Sequence, residues 1–262
     1  MGASCQLPPR PSFPRKPYQN NCTSSLHLSC FPCRLGPSQR CSSCRCLASS
    51  LRLASAAGYD PLRRLPRLHL LHLVGCSPLP ACLSSLASLA ELRIKGPGQP
   101  LPPDSVGTIR AALPRLHGLT QLRLDDIAGL PGPPPELAWL TRLRTFAWSG
   151  PSHASEAAPA AMPSGYWLGS LCAIAAPAAV LAASLAMLGA AARLRDLDIL
   201  GADDHPAATV SVLQWVQGRL TLQMLVVHTA AMPQSVVVAM MGLARCRPDS
   251  PWSSVSFARD SP

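Results

Sequence analysis

Aromatic and charged side chains are scarce in this sequence of 262 residues, at 5% and 14%. Apolar residues reach 48%, so a sizeable core is possible, but it must consist mainly of Leu and Ala. The 29 prolines disfavour long uninterrupted helices. The chain contains no phosphate-loop, GxGxxG, HExxH or GxSxG motif, and no two His lie at metal-ligand helical spacing. We therefore expect a non-enzymatic protein that needs no cofactor.

Acidic residues are absent from the first 59 positions, which carry seven Lys and Arg, and the first carboxylate is Asp60. The rest of the chain has 16 basic and 13 acidic residues, or +3 of the total of +10. The basic character therefore belongs to the N-terminal segment and does not indicate specific nucleic-acid binding by the remainder. Residues 1–58 are rich in Pro, Ser, Arg and Cys, and we predict a disordered tail. Because it also resembles an organelle transit peptide, organelle targeting remains an alternative.

Two CxxC pairs in this tail raise the question of a zinc site. They comprise Cys30 and Cys33, then Cys41 and Cys44. Four such thiolates can hold tetrahedral zinc, but the seven residues between the pairs make a short gap and no β-hairpin pattern surrounds them. We expect no metal site here, with zinc as the alternative.

A leucine pattern recurs along the body of the chain, from Leu65 to Phe257. The pattern is LxxLxxLxL, and period-2 alternation in its last part points both Leu inward and the residue between them outward. The spacing leaves room for one degraded copy within residues 149–176. The copies are Leu65/Leu68/Leu71/Leu73, Leu86/Leu89/Leu92/Ile94, Leu116/Leu119/Leu122/Leu124, Leu137/Leu140/Leu143/Thr145 and Ala191/Leu194/Leu197/Ile199, with weaker ones at Leu222/Leu225/Val227 and Trp252/Val255/Phe257.

These residues resemble the leucine-rich-repeat family. The resemblance implies an α/β solenoid, or horseshoe, with a parallel concave sheet and irregular convex helices. It would cover residues 59–262, with an irregular insertion near 149–176. The family usually places Asn three residues after the last strand Leu, whereas this chain has no Asn after residue 21. The turns must therefore find other hydrogen-bond partners for their backbone groups.

Several outward positions of the predicted strands are basic. A ladder of like charges on adjacent strands repels itself and contributes nothing obvious to folding. We expect it to bind an acidic partner surface, with Phe146 as an exposed aromatic anchor; the alternative is a merely solvated charged face. The predicted site consists of Arg93, Lys95, Arg123, Arg142, Arg144 and Phe146.

The uncharged run from Tyr166 to Ala192 is long enough to span a bilayer. Pro177 divides it and Ala dominates it, so we predict instead an Ala-rich convex helix packed on the sheet. The resemblance then implies a protein–protein interaction scaffold or adaptor in the cytoplasm or cytoskeleton, the ciliary axoneme included. The alternative is a membrane-anchored, receptor-like fragment that uses this run.

Overall fold

A single parallel sheet forms the centre of the computed structural model, which describes Leu62, Leu65 and residues 67–97, 101–127, 129–150, 160–246 and 254–258. The sheet has eight strands that lie side by side in chain order. All pairings are parallel. The strands are β1 (Leu70–Val74), β2 (Glu91–Lys95), β3 (Gln121–Asp125), β4 (Thr145–Gly150), β5 (Ala173–Pro177), β6 (Asp196–Leu200), β7 (Met224–His228) and β8 (Ser254–Ala258).

Short helical segments connect each strand to the next. Parallel neighbours need such crossovers, and their right-handed preference places them all on one side of the sheet. The first four connections contain the 3-10 helices Ala81–Ser85, Leu113–Arg115 after α1 (Pro103–Ala112), Pro135–Trp139 and Tyr166–Gly169, and the later ones contain α2 (Ala178–Ala183), α3 (Leu185–Leu188), α4 (Pro206–Gln217) and α5 (Gln234–Cys246). The predicted α/β class with one parallel sheet is confirmed, in an arrangement compatible with a solenoid.

The LxxLxxL part of the pattern forms a chain of tight turns ahead of the strands β1 to β6. Before β2, the amide of Leu86 donates to the carbonyl of Leu83 at 3.1 Å, and Leu89 donates to Leu86 at 3.0 Å. Bonds between residues three apart bring side chains with a period of three onto the same side of the backbone. All three Leu are consequently buried. The same bonds recur before β3 at Leu116 and Leu119.

Within the strands, alternate residues pack into the core and stack on their equivalents in the neighbouring strands. Leu71 pairs with Leu92, and Leu92 pairs with Leu122. These side chains are at most 1% exposed. Burying one such side chain contributes on the order of 1.5–3 kcal/mol relative to leaving it in water. Because no single strand can cover its own Leu face, the strands are stable only as a stack.

The strand ends satisfy their backbone groups without Asn. The amide of Gly75 donates to the carbonyl of Lys95 at 2.9 Å, and the amide of Gly96 donates to Asp125 at 2.8 Å. Gly75 has a left-handed φ of 65°, a conformation that suits glycine. At Gly96 the reason for glycine is space, because a Cβ there would overlap the carbonyl oxygen of Asp126. At these two strand ends the neighbouring strand supplies the backbone hydrogen-bond partner.

The predicted register of the fourth strand is wrong by three residues. Leu140 and Leu143 belong to the turns before β4, and the strand positions that pair with Leu122 and Leu124 are Phe146 and Trp148. Phe146 therefore points into the core and is 0% exposed. Thr145, predicted as a core position, is half-buried on the opposite face of the sheet.

Large aromatic side chains fill the core around β4. The rings of Phe146 and Trp167 meet edge to face, with centroids 5.8 Å apart and planes at 76°. Such aromatic pairs stabilise a core by roughly 0.5–1.5 kcal/mol beyond the area that they bury. Next along the sheet, β5 contributes only Ile174 and Ala176 to the core. Trp167 comes from the crossover between these two strands, so the aromatic volume supplements the smaller side chains of β5.

The interval 149–176, predicted to hold a degraded copy of the pattern, contains most of β5, which pairs with both β4 and β6. Leu168, Leu171, Ile174 and Ala176 have the spacing of the other copies, and all four are buried.

The run from Tyr166 to Ala192 is not one helix. It contains a 3-10 helix, β5, α2 and α3. The prediction of a single convex helix is therefore wrong for its first half. Among the described residues, every helix is too short or too polar to cross a bilayer. The predicted tail, with Cys30, Cys33, Cys41 and Cys44, lies outside the described residues.

Two glycine substitutions should have opposite effects. Gly96→Ala should destabilise the fold by about 1–3 kcal/mol, because the new methyl group overlaps the backbone of the next coil. Gly107→Ala is the matched control, since Gly107 lies in α1 with open space around its Cα. This variant should be more stable by about 0.5–1 kcal/mol. Urea denaturation of both variants measures the two effects, and equal shifts would contradict the close approach at Gly96.

The inward orientation of Phe146 predicts that Phe146→Ala lowers the free energy of unfolding by about 3–5 kcal/mol. The control on the same strand is Thr145→Ala, which should change it by no more than about 0.5 kcal/mol. Chemical denaturation followed by circular dichroism distinguishes the two. A Phe146→Ala variant as stable as wild type would place this ring outside the core.

Candidate functional site

The outward side chains of the sheet form a surface that we call the open face. Its central row is set by the pairing register and runs across the strands from β1 to β7. The central row consists of His72, Arg93, Arg123, Ala147, Ala175, Asp198 and Val226. These residues are exposed or half-buried, whereas their neighbours along each strand are buried. The open face is thus available for contact while the other face packs on the crossovers.

Basic side chains occupy one half of the open face, and acidic neighbours hold them in place. Arg93 Nε lies 2.6 Å from Glu91 Oε1, and His72 Nε2 lies 3.0 Å from the same oxygen. Arg123 Nε lies 2.6 Å from Asp125 Oδ2. The Arg93 and Arg123 side chains remain 48% and 55% exposed. The ion pairs orient both guanidinium groups and leave about half of each side chain to solvent.

Three of the six predicted site residues lie on the open face, namely Arg93, Lys95 and Arg123. Arg142 and Arg144 are exposed, but they precede β4 and have no place in its rows. Phe146 is buried and cannot act as a surface anchor. The predicted basic ladder ends at β3, because Ala147 takes the next position in the row.

Small side chains form the middle of the open face. Ala147 on β4 and Ala173 and Ala175 on β5 line the floor of a shallow depression of about 190 Å³. Arg93 and Arg123 line one end of this depression, and Asp196, Asp198 and Met224 line the other. We call it the alanine trough. Because methyl groups project so little from a sheet, the backbone is more accessible here than under the arginines.

Two carboxylates, Asp196 and Asp198, stand at the far end of the trough on β6. Burial raises the pKa of Asp198 above its ordinary value of 3.8; His228 opposes this increase, Asp196 adds to it and Arg123 opposes it. Asp198 Oδ1 is shielded from solvent and accepts no hydrogen bond from any described residue. A shielded carboxylate oxygen without a donor costs free energy of folding. Asp198 is therefore held in a position that does not favour the fold.

Asp196 and Asp198 flank Leu197 of a recognised copy of the pattern, but they are not among the predicted site residues. The trough between them and the basic residues was missed because the leucine pattern is degraded at β5, whose core positions hold Ile174 and Ala176. The available signal was the run Leu168-x-x-Leu171-x-x-Ile174, which has the same spacing as the clearer copies.

The open face presents charges of both signs across an uncharged floor, which is suited to recognising charged groups. Within the described ranges, no three His, Cys, Asp or Glu side chains are close enough to hold a metal ion. The acid and His cluster at Asp203, Asp204 and His205 lies in the turn before α4.

Asp198→Asn should increase the free energy of unfolding at pH 7, because it removes a charge that burial disfavours. A carboxyl whose pKa is raised by folding destabilises the native state above that pKa, and the penalty disappears as the pH falls towards the unfolded value. The advantage of Asp198→Asn should therefore shrink in mildly acidic buffer. Urea titrations at pH 7 and about pH 4 test this. The control Asp104→Asn removes an exposed carboxylate from the first turn of α1, where a negative charge favours the helix, and should therefore show no gain in stability at pH 7.

No family model and no curated protein matches this sequence.

Proposed function

We propose that this chain is a leucine-rich-repeat protein that acts as a non-catalytic scaffold and binds another protein through the open face of its sheet. The observation that carries the proposal is the central row of the open face, in which the sheet register places Arg93 and Arg123 at one end and Asp198 at the other, with Ala147 and Ala175 between them.

The family assignment is supported by the match between the leucine pattern and the coils. The units of β1 to β5 have Leu at intervals of three before the strand, the unit of β6 has Ala191 in one of these places, and β1 to β7 each have two buried inward strand positions. Strands in chain order, each followed by a crossover on one side, are what that family's horseshoe requires. The lack of the usual Asn is compatible with this assignment, because bonds between strands satisfy the turns at Gly75 and Gly96.

The binding role is supported by the small contribution that the open-face charges make to the stability of the fold. Ion pairs between exposed side chains contribute little to stability, typically about 0–1 kcal/mol. Arg93 and Arg123 lie directly beside each other in the row, at a strand spacing of about 4.8 Å. Like charges at that distance repel each other, and the ion pairs with Glu91 and Asp125 offset part of this repulsion. A partner that neutralises them would turn this cost into binding free energy and specificity.

The proposal is tested by capture with the full chain as bait, followed by quantitative mass spectrometry. Proteins bound through the open face should be reduced by about tenfold or more when Arg93→Glu and Arg123→Glu are combined. The control bait combines Arg115→Glu and Arg142→Glu, an equal change of charge at exposed positions off the open face. Retention of the same proteins by this control excludes a general effect of net charge.

A neutral double variant, Arg93→Gln with Arg123→Gln, separates loss of binding from repulsion by the new carboxylates. Circular dichroism and thermal melting of every bait check that the fold is intact. Equal capture by wild-type and both open-face variants would contradict binding at this surface.

A further inference from the structure

The net charge of the open face differs between its two ends. On β2 and β3 three basic side chains, Arg93, Lys95 and Arg123, outnumber the acidic Glu91 and Asp125, whereas the charged side chains of β6 are the carboxylates of Asp196 and Asp198. Arg123 and Asp198 are three strands apart in the same row, or about 14 Å at the usual strand spacing. A uniformly acidic partner would gain binding free energy at the arginines and would be repelled by the carboxylates on β6.

The floor between the two ends admits a partner at close range. Ala147 and Ala175 occupy the central row, and Ala173 lies beside Ala175 on β5. A side chain or backbone lying in this trough contacts methyl groups and meets no competing charge. An apolar centre surrounded by a polar, solvent-accessible rim is the usual anatomy of a protein–protein contact.

The two carboxylates of β6 favour a cation from outside the described chain. Asp196 and Asp198 are half-buried and line the same end of the trough, so a cation in the trough faces both carboxylates, although Asp198 Oδ1 itself is shielded. Ammonium and guanidinium groups form the strong, charge-assisted bonds that such a carboxylate accepts. Asp196, one of the residues lining the same end of the trough, adds a second negative charge for the same cation.

We propose that the partner is a protein segment of mixed charge, which places a Lys or Arg side chain on Asp196 and Asp198, an apolar side chain on the alanine trough, and an Asp or Glu side chain on Arg93 and Arg123. This inference rests on the proposed function and replaces the uniformly acidic partner expected from the sequence. The required spacing of the two charged contacts selects among segments that carry both signs.

The test selects peptides of about twelve residues, displayed on phage as a random library, against the immobilised full chain. Parallel selections use Asp196→Asn with Asp198→Asn, Arg93→Gln with Arg123→Gln, and the off-face control Asp104→Asn with Arg115→Gln. Peptides enriched on wild type and on the control, but not on the open-face variants, should carry a basic and an acidic residue on opposite sides of an apolar one.

A double-mutant cycle on one enriched, synthesised peptide then assigns the contacts. Replacing its basic residue by Gln should weaken binding to wild type by about tenfold, and to the Asp196/Asp198 variant by less than about twofold. Replacing its acidic residue by Gln should give the same difference between wild type and the Arg93/Arg123 variant. Fluorescence anisotropy measures each affinity.

Two results would overturn the mixed-charge partner and separate its failure from that of the proposed function. In the first, the enriched peptides carry only acidic charges, and their binding depends on Arg93 and Arg123 but not on Asp196 and Asp198. This result refutes the inference and is still consistent with the proposed scaffold function. Enrichment that no open-face variant alters refutes both. Displacement of the peptides by a synthetic peptide of residues 1–58 would identify the chain's own basic tail as an occupant and would also contradict the inference, since that tail has no acidic residue.

Discussion

One recurring main-chain interaction sets the register between neighbouring coils. The carbonyl of the residue just before each of the strands β1 to β6 accepts two amides from the next coil. His69 accepts from Ala90 and Glu91 at 2.8 Å each, and Ala90 accepts from Thr120 and Gln121 at 2.8 and 3.0 Å. The same double acceptance occurs at Thr120, Arg144, Cys172 and Arg195. Because these bonds involve only the backbone, they hold whatever side chains the coils carry. They align the buried leucines and, on the other side of the sheet, the charged row.

Much of this fold could be predicted from the leucine spacing, because the physical requirement is simple. Leu at every third residue is buried in the turns, and Leu at every second residue is buried in the strand. The two spacings in succession therefore predict one coil. The prediction failed where that code is ambiguous. Leu137, Leu140 and Leu143 fit two registers three residues apart, and the aromatic core residues Phe146 and Trp148 decide between them. Gly150, two residues after Trp148, is a local signal that matches Gly75 after Leu73.

The candidate site was predictable only in part for the same reason. Arg93, Lys95 and Arg123 follow from coils whose register is certain, and the structure places them on the open face. Once the register of β4 shifts, Arg142 and Arg144 leave the row and Phe146 enters the core. The alanine trough depends on β5, whose small core residues hide its leucine pattern. The position of Asp198 in the same row as Arg123, three strands away, depends on β5 lying between β4 and β6.

Along each strand the side chains point alternately to the two faces of the sheet, so one set packs in the core and the other set faces outward. Leu92 and Ile94 face the packed interior, whereas Arg93 between them faces outward and takes almost no part in that packing. A replacement at an outward position therefore alters what the sheet can recognise while leaving the interior unchanged. Such an architecture has high evolvability: descendants of one ancestral sheet are able to diverge in the molecules they select while sharing the same scaffold.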